Sequence, residues 1–363
     1  MQTKIDNVNI LGIATCVPER QVDIFDNKLI YDGNVKKLKK VVRGTGFHKR
    51  HILKENSNVT ASDMCQKAAE ELIAKTNTNK EDFAAVIMLT QYPDYIEPAT
   101  ACVLHGKLGL AESCIAFDIN QGCAGYIYGL LIATQLVNCA KKKVLLLCGD
   151  SCTRAIGTQE DVVDDMPIFG DGGCATILEY DENAKPIWFD IGNMGSKADA
   201  IGFKNGGFRN PPTPEMFDKN GKFDYGNFMD GLAIFDFTMN TVPISINNIM
   251  NLANVSENDI DYYILHQANK MILENIAVSA NIDVDKVLRE TLSEYGNLSS
   301  ASVASVISDE YEKFNQKHCC LLLNAFGIGL SWGSVLLELT NTICLPMIFY
   351  KEGLIWKIKL LQF

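Results

Sequence analysis

The chain has 363 residues, 47% of them hydrophobic and 21% charged, with a formal net charge of −11 and a pI near 5.0. That balance belongs to a folded globular protein large enough for one big domain or two ordinary ones. Its acidity argues against nucleic acid as the main partner. Residues 1–6 carry no apolar run, so no signal peptide is expected. No stretch approaches the roughly 20 apolar residues of a transmembrane segment. The 12 cysteines are scattered, mostly inside apolar runs and without a CxxC pair, so neither a metal site nor a disulfide framework is expected. A reducing cytoplasm is the natural setting.

In chain order, residues 8–14 are predicted as a strand, and residues 23–42 as a helix ending in a basic run of Lys36, Lys37, Lys39, Lys40 and Arg43. After the Gly44-Thr45-Gly46-Phe47 turn come His48, Lys49, Arg50 and His51. This positive patch on an acidic protein is either plain solvated surface or a surface that steers a phosphate-bearing partner. Residues 60–75 form an amphipathic helix, 82–90 a buried strand and 99–108 a short helix.

Residues 115–131 read IAFDINQGCAGYIYGLL. The stretch begins as a strand, breaks at Gln121-Gly122, and becomes a buried helix from Cys123. A cysteine at the first helical turn sits in the field of unpaired backbone N–H groups, which lowers a thiol pKa and favours the nucleophilic thiolate. The small neighbours Gly122, Ala124 and Gly125 leave room for a substrate at the sulfur. The plain alternative is a buried cysteine in a tight strand–helix turn.

An apolar strand at 144–148 and a Gly-rich turn into a strand at 167–178 complete a pattern that indicates a parallel α/β sheet. The pattern then restarts. A strand at 187–191 precedes a Gly/Pro/Asn/Asp-rich insertion at 195–231, of a length usually functional or mobile. A helix at 232–252, a strand at 261–267, a helix at 270–280 capped by Asn269, a helix from Ser299 to about residue 314, and strands at 318–324 and 330–339 follow. The halves correspond: DFAAVI with DYYIL, Gly122-Cys123 with Gly296-Asn297, and FGDGGCATIL with AFGIGLSWGS. Ligands of open α/β sheets bind at the carboxyl ends of strands, where Cys123, His266 and Asn297 can converge.

These residues carry a family resemblance. DINQGCAGYIYGL, IFGDGGCATIL, LHQANKMI, YGNLSSASVAS and AFGIGLSWGS, in this order between about residues 5 and 340, resemble the type III β-ketoacyl-acyl-carrier-protein synthases of the thiolase-like superfamily. The resemblance implies an α/β fold of duplicated halves in an α-β-α-β-α layering, here residues 1–184 and 185–340, with an atypical tail at 341–363. It implies Cys123 as acylated nucleophile, His266 and Asn297 as the decarboxylation pair, and the N–H groups of Cys123 and Ile328 as oxyanion hole. It also implies acyl-CoA or acyl-carrier protein and malonyl-carrier protein as partners, a cytoplasmic homodimer, and no cofactor. Arg43, Lys49, Arg50 and Lys270 would face the carrier or coenzyme A, and Glu97 the acyl pocket of the partner subunit.

Several positions depart from the family pattern. Where fatty-acid-priming members carry an adenine-stacking tryptophan, this chain reads Lys39-Lys40-Val41-Val42-Arg43, so a primer carried on protein becomes an alternative to coenzyme A. Gln91 stands where a hydroxymethylglutaryl-CoA synthase would place a glutamate. Glu97 leaves open a head-to-head condensation of two acyl-CoAs, and acyl transfer to a hydroxyl or amine is a further alternative, although Asn297 favours condensation. The tail, apolar and basic, could dock a partner or a membrane surface.

Overall fold

The computed structural model describes residues 1–26, 30–54, 57–156, 168–219 and 221–353. The chain runs β1 (Gln2–Ile5), β2 (Val8–Pro18), β3 (Gln21–Asp23), α1 (Val35–Thr45), β4 (Lys49–His51), α2 (Ala61–Thr76), β5 (Phe83–Leu89), α3 (Thr100–Leu108), β6 (Ile115–Ile119), α4 (Gly125–Ala140), β7 (Lys143–Ser151), α5 (Cys152–Ile156) and β8 (Asp171–Tyr180). It continues with β9 (Ile187–Asn193), β10 (Ile201–Phe203), β11 (Asn227–Met229), α6 (Gly231–Ala253), β12 (Tyr262–Leu265), α7 (Lys270–Ala280), β13 (Val287–Leu288), α8 (Leu292–Tyr295), α9 (Ser302–Asp309), α10 (Tyr311–Phe314), β14 (Cys319–Gly327), β15 (Ser331–Leu339), β16 (Ile343–Cys344) and β17 (Ile348–Tyr350).

Two sheets share one topology. One contains β2-β8-β7-β5-β6 and the other β9-β15-β14-β12-β13. Counted along each half, both orders are first, fifth, fourth, second, third. The sheets are mixed rather than parallel throughout. β5 runs parallel to β6 and β7, and β12 to β13 and β14, while β8 and β15 run antiparallel to their neighbours. The short Ile328–Leu330 turn between β14 and β15 permits only antiparallel pairing.

The period-two alternation of β5 sorts its side chains between two cores. Ile87 and Leu89 point inward, where they join Tyr126, Ile127 and Leu130 of α4, Val303, Val306 and Ile307 of α9, and Leu321 and Leu323 of the other sheet. Val86 and Met88 point outward against Leu72 of α2 and Leu104 of α3. On the far face, Tyr263, Leu265 and Leu322 meet Ile246 of α6 and Leu273 of α7. The result is five layers, helices–sheet–helices–sheet–helices, and α4 is apolar over most of its surface because all but a stripe at Ile132, Gln135 and Cys139 is covered. Each fully buried large side chain contributes about 1.5–3 kcal/mol.

Two expectations are corrected. The predicted helix 23–42 is shorter and later: residues 21–23 pair with β4, and the helix starts only where the Asn34 side chain accepts the Lys37 N–H, ending at Gly46 with φ +81°. The predicted helix from Ser299 opens as one 3₁₀ turn, Ser299–Ala301, before α9. The tail is built into the fold as far as residue 353. β16 and β17 pair in parallel with β2, and Glu352 accepts the Lys54 N–H. They cover an edge that would otherwise expose unpaired backbone groups. The remaining tail residues lie outside the described ones. Among the described residues no helix is long and apolar enough to cross a membrane, and no group of His, Cys, Asp and Glu is placed to hold a metal ion.

Candidate active site

β6 leads into the turn that carries Cys123, β12 ends directly before His266, and Asn297 follows α8. Cys123 and His266 thus follow strands, the third of the first half and the second of the other, whereas Asn297 follows a helix and not the strand end expected of it. Cys123 is not in the first turn of α4 but two residues before Gly125, with Ala124 at the N-cap. Its Sγ lies 3.9 Å from Ser299 Oγ. Gly327, the last residue of β14, packs so closely that an added Cβ there would sit 2.7 Å from Cys123 Cβ and 3.2 Å from its Sγ.

The expected lowering of the thiol pKa is not what the surroundings produce. The exposure that Cys123 retains is to an internal cavity. Burial pushes the thiol up to about 12; the Ser299 hydroxyl pulls it down and the Asp150 charge adds to the rise. Desolvation of a sulfur anion outweighs the helix-end field here, so the resting group is a thiol.

His266 is buried, with 3% of its surface exposed. Its Nδ1 lies 2.8 Å from Ser302 Oγ, which also accepts the Gln267 N–H at 3.0 Å. Burial drives the imidazole pKa down to about 3, so the ring is neutral. Its edge meets the Phe326 ring at 5.6 Å, beside Gly327. Asn297 is 4% exposed. Its Oδ1 accepts the Ser299 N–H at 2.9 Å, which leaves the amide Nδ2 as the group free to donate. The Asn297 backbone is held by Ile168 O and Gly170 N.

Cys123, Ser299 and Ile328 line one wall of a cavity of about 70 Å³. Gln91, Tyr92, Cys152, Ile168 and Phe169 form a second wall, and Ile201, Phe203 and Met229 of the β10–β11 hairpin close it. The insertion is thus the roof of the site, a role that its composition alone did not assign. Among the described residues the backbone N–H groups of Cys123 and Ile328 donate to no carbonyl, and the Cys123 N–H acts on its own sulfur. Two such donors beside a thiol can receive a tetrahedral oxyanion.

The expected docking residues separate. Arg43 is exposed on the last turn of α1, and Lys270 sits at its C-cap, its Cβ 3.0 Å from where Gly46 would carry one. Lys49 pairs with Glu294 at 3.1 Å. Arg50 is a correction: β4 turns it inward, where it is 4% exposed and donates to Phe169 O at 3.0 Å, so it supports the cavity wall instead of a surface. Glu97 is exposed and does not line its own chain's cavity; its neighbours Tyr95 and Ile96 are 59% and 81% exposed.

The residues that sequence reasoning missed are Ser299 and Ser302, and the close packing of Gly327 on Cys123. Ser299 and Ser302 stand in the hydroxyl-rich NLSSAS run, at a spacing that a single helical turn spans.

The family model described as 3-oxoacyl-[acyl-carrier-protein (ACP)] synthase III matches residues 117–195, and the model for its C-terminal part matches residues 250–339. The β-ketoacyl-[acyl-carrier-protein] synthase III of Campylobacter fetus is 34% identical over 334 residues, 91% of this chain and 98% of its own. That of Chlamydia caviae is 33% identical over 343 residues, 92% of this chain and 98% of its own. A solved 3-oxoacyl-(acyl-carrier protein) synthase from Burkholderia xenovorans superposes with a TM-score of 0.87 at 32% identity, covering 96% of this chain and 99% of that one. Xanthomonas campestris OleA, at 19% identity and a TM-score of 0.76, shares the fold.

Proposed function

The chain belongs to the 3-oxoacyl-[acyl-carrier-protein] synthase III family and is a condensing acyltransferase of that type, and from that premise we propose that Cys123 is acylated and that His266 and Asn297 drive the decarboxylative step. The observation that carries this reading is the meeting of the halves at Cys123: Ser299, whose N–H holds Asn297 Oδ1, touches the sulfur, and Gly327 of β14 closes on it from the other side.

In the first step the sulfur attacks the carbonyl of an acyl thioester. The N–H groups of Cys123 and Ile328 receive the developing oxyanion. The proton that leaves the thiol is returned to the departing carrier thiol, so acyl-Cys123 and free carrier result and no external base is consumed. In the second step a malonyl thioester binds with its carbonyl oxygen toward His266 and Asn297 Nδ2. Carbon dioxide departs, and the two neutral donors stabilise the enolate without supplying a proton that would quench it. The enolate carbon attacks acyl-Cys123. The sulfur leaves, takes up a proton, and a 3-oxoacyl thioester is released.

The family name supports an acyl-carrier protein as partner; Lys270 and the cationic α1, including Arg43, are its proposed dock, with Lys49 at the edge. We read the enzyme as a cytoplasmic homodimer of chains divided near residue 185. β6 is the final strand of its sheet and, among the described residues, pairs only with β5; Ile115 on it is 52% exposed. Paired β6 edges would bring the Tyr95–Glu97 loop toward the partner's cavity, so Glu97 is proposed to set primer choice there. The test is reconstitution with an acyl thioester and malonyl-carrier protein. The parent chain is expected to form a 3-oxoacyl-carrier product and CO₂, while His266→Ala and Asn297→Ala acylate but do not condense. Condensation at the parent rate in either variant contradicts the assignment.

A further inference from the structure

Asp150, near the end of β7, is wholly buried. Its Oδ1 accepts the Thr90 hydroxyl at 3.1 Å and the Gln91 N–H at 2.9 Å. Its Oδ2 accepts the Ser300 hydroxyl at 2.7 Å and the Ser300 N–H at 3.2 Å. All four donors are neutral. A carboxylate is the side chain that can receive four donors on two oxygens, whereas an amide of the same shape loses half of that capacity. Burying the charge is costly unless such bonds offset it.

The two pairs of donors belong to different halves of the chain. Thr90 and Gln91 follow β5, and the Gln91 side chain rests on Gly122, next to Cys123. Ser300 follows Ser299, which touches Cys123 Sγ and holds Asn297. We propose that Asp150 is a positioning residue for condensation: it locks the Gln91 wall of the first half to the Ser299–Ser300 turn of the second, and so sets the placement of Asn297 against Cys123. The idea rests on the reading that Cys123 is acylated. Burial is the main cause that raises the Cys123 and Cys152 thiols and the Tyr92 hydroxyl at the cavity, and the Asp150 charge adds to the rise in each. A residue that merely fills space would not act on the sulfur at a distance.

The experiment compares Asp150→Asn and Ser300→Ala with the parent in three measurements: acylation of Cys123 by intact mass, condensation with malonyl-carrier protein, and the pH profile of iodoacetamide alkylation at Cys123. Misplacement by about 1 Å lowers such rates by about 10²-fold. Both variants are expected to acylate and to lose condensation on that scale. The alkylation midpoint is expected to fall in Asp150→Asn, which removes the charge, and to stay in Ser300→Ala, which keeps it. Parent-like condensation in both, or an unmoved midpoint in Asp150→Asn, overturns the proposal. If Asp150→Asn does not fold, Ser300→Ala decides, and condensation at the parent rate overturns it. A parent chain that is not acylated at Cys123 would overturn the functional reading itself, a result separate from these.

Discussion

Ser302 Oγ stands 2.8 Å from His266 Nδ1 and accepts the Gln267 N–H at 3.0 Å, so one hydroxyl ties the ring to the backbone after β12. The ring is neutral because burial drives its pKa down to about 3, and it stays neutral above that pH. Condensation is therefore expected to show no acid limb from His266 between about pH 5 and pH 8. Ser302→Ala, which removes the partner of His266 Nδ1, should lower condensation by about 10–10²-fold while sparing Cys123 acylation. An acid limb near pH 6 that disappears in His266→Gln would contradict the neutral-donor role.

Gly327 and Gly122 both border Cys123 but differ in what a methyl group would meet. At Gly327 it would run into Cys123 Cβ at 2.7 Å, between a strand end and a turn that are both fixed. At Gly122 it would meet the end of the Gln91 side chain, which can swing away. Gly327→Ala should lower the acylation rate by about 10²-fold by displacing the sulfur, and Gly122→Ala by only a few-fold. Rates of acylation measured for both variants check this; equal losses would mean that Gly327 does not hold the nucleophile in place.

Much of this was legible in the sequence, and the reason is local. β5, β6, β12 and β14 are short apolar runs whose polar tips mark their carboxyl ends, so Cys123 and His266 could be placed without knowing the fold. The repeat added Asn297. What was not legible depends on distant partners. β17 is a strand only because β2, more than three hundred residues earlier, offers an edge. β10 and β11 pair across the insertion, Ile201 with Met229, and become the cavity roof only through that contact. Arg50 looked like one more surface cation until β4 turned it toward Phe169. The Cys123 thiol was misjudged because the helix-end field is written in the local sequence, whereas the burial that overrides it arises only in the folded chain.

Glu97 tests the dimer. It is exposed on a single chain beside Tyr95 and Ile96, which an apolar partner surface would cover. Ile115→Lys on β6 should shift the sedimentation profile from dimer to monomer. Glu97→Ala, with the dimer intact, should change the ratio of kcat/KM values across short and longer acyl primers. An unchanged preference places Glu97 on the surface.

Lys270 tests the carrier dock. It lies beside the α1 C-cap, where Arg43 and the lysine run add positive charge. Lys270→Glu should raise KM for malonyl-carrier protein, more so at low salt because the attraction is electrostatic, and leave turnover of a small malonyl thioester unchanged. Equal effects on both substrates would remove it from the dock.

The central claim is that Cys123 carries the acyl group, and intact-mass measurement after incubation with an acyl thioester tests it most directly. The parent chain should gain one acyl mass, mapped by peptide analysis to Cys123 among the 12 cysteines, and Cys123→Ala should gain none. Because burial raises this thiol to about 12, its reaction with iodoacetamide should accelerate with rising pH through the alkaline range and show no plateau near neutrality. An acyl adduct that persists in Cys123→Ala, or that maps to another cysteine in the parent, would contradict the account.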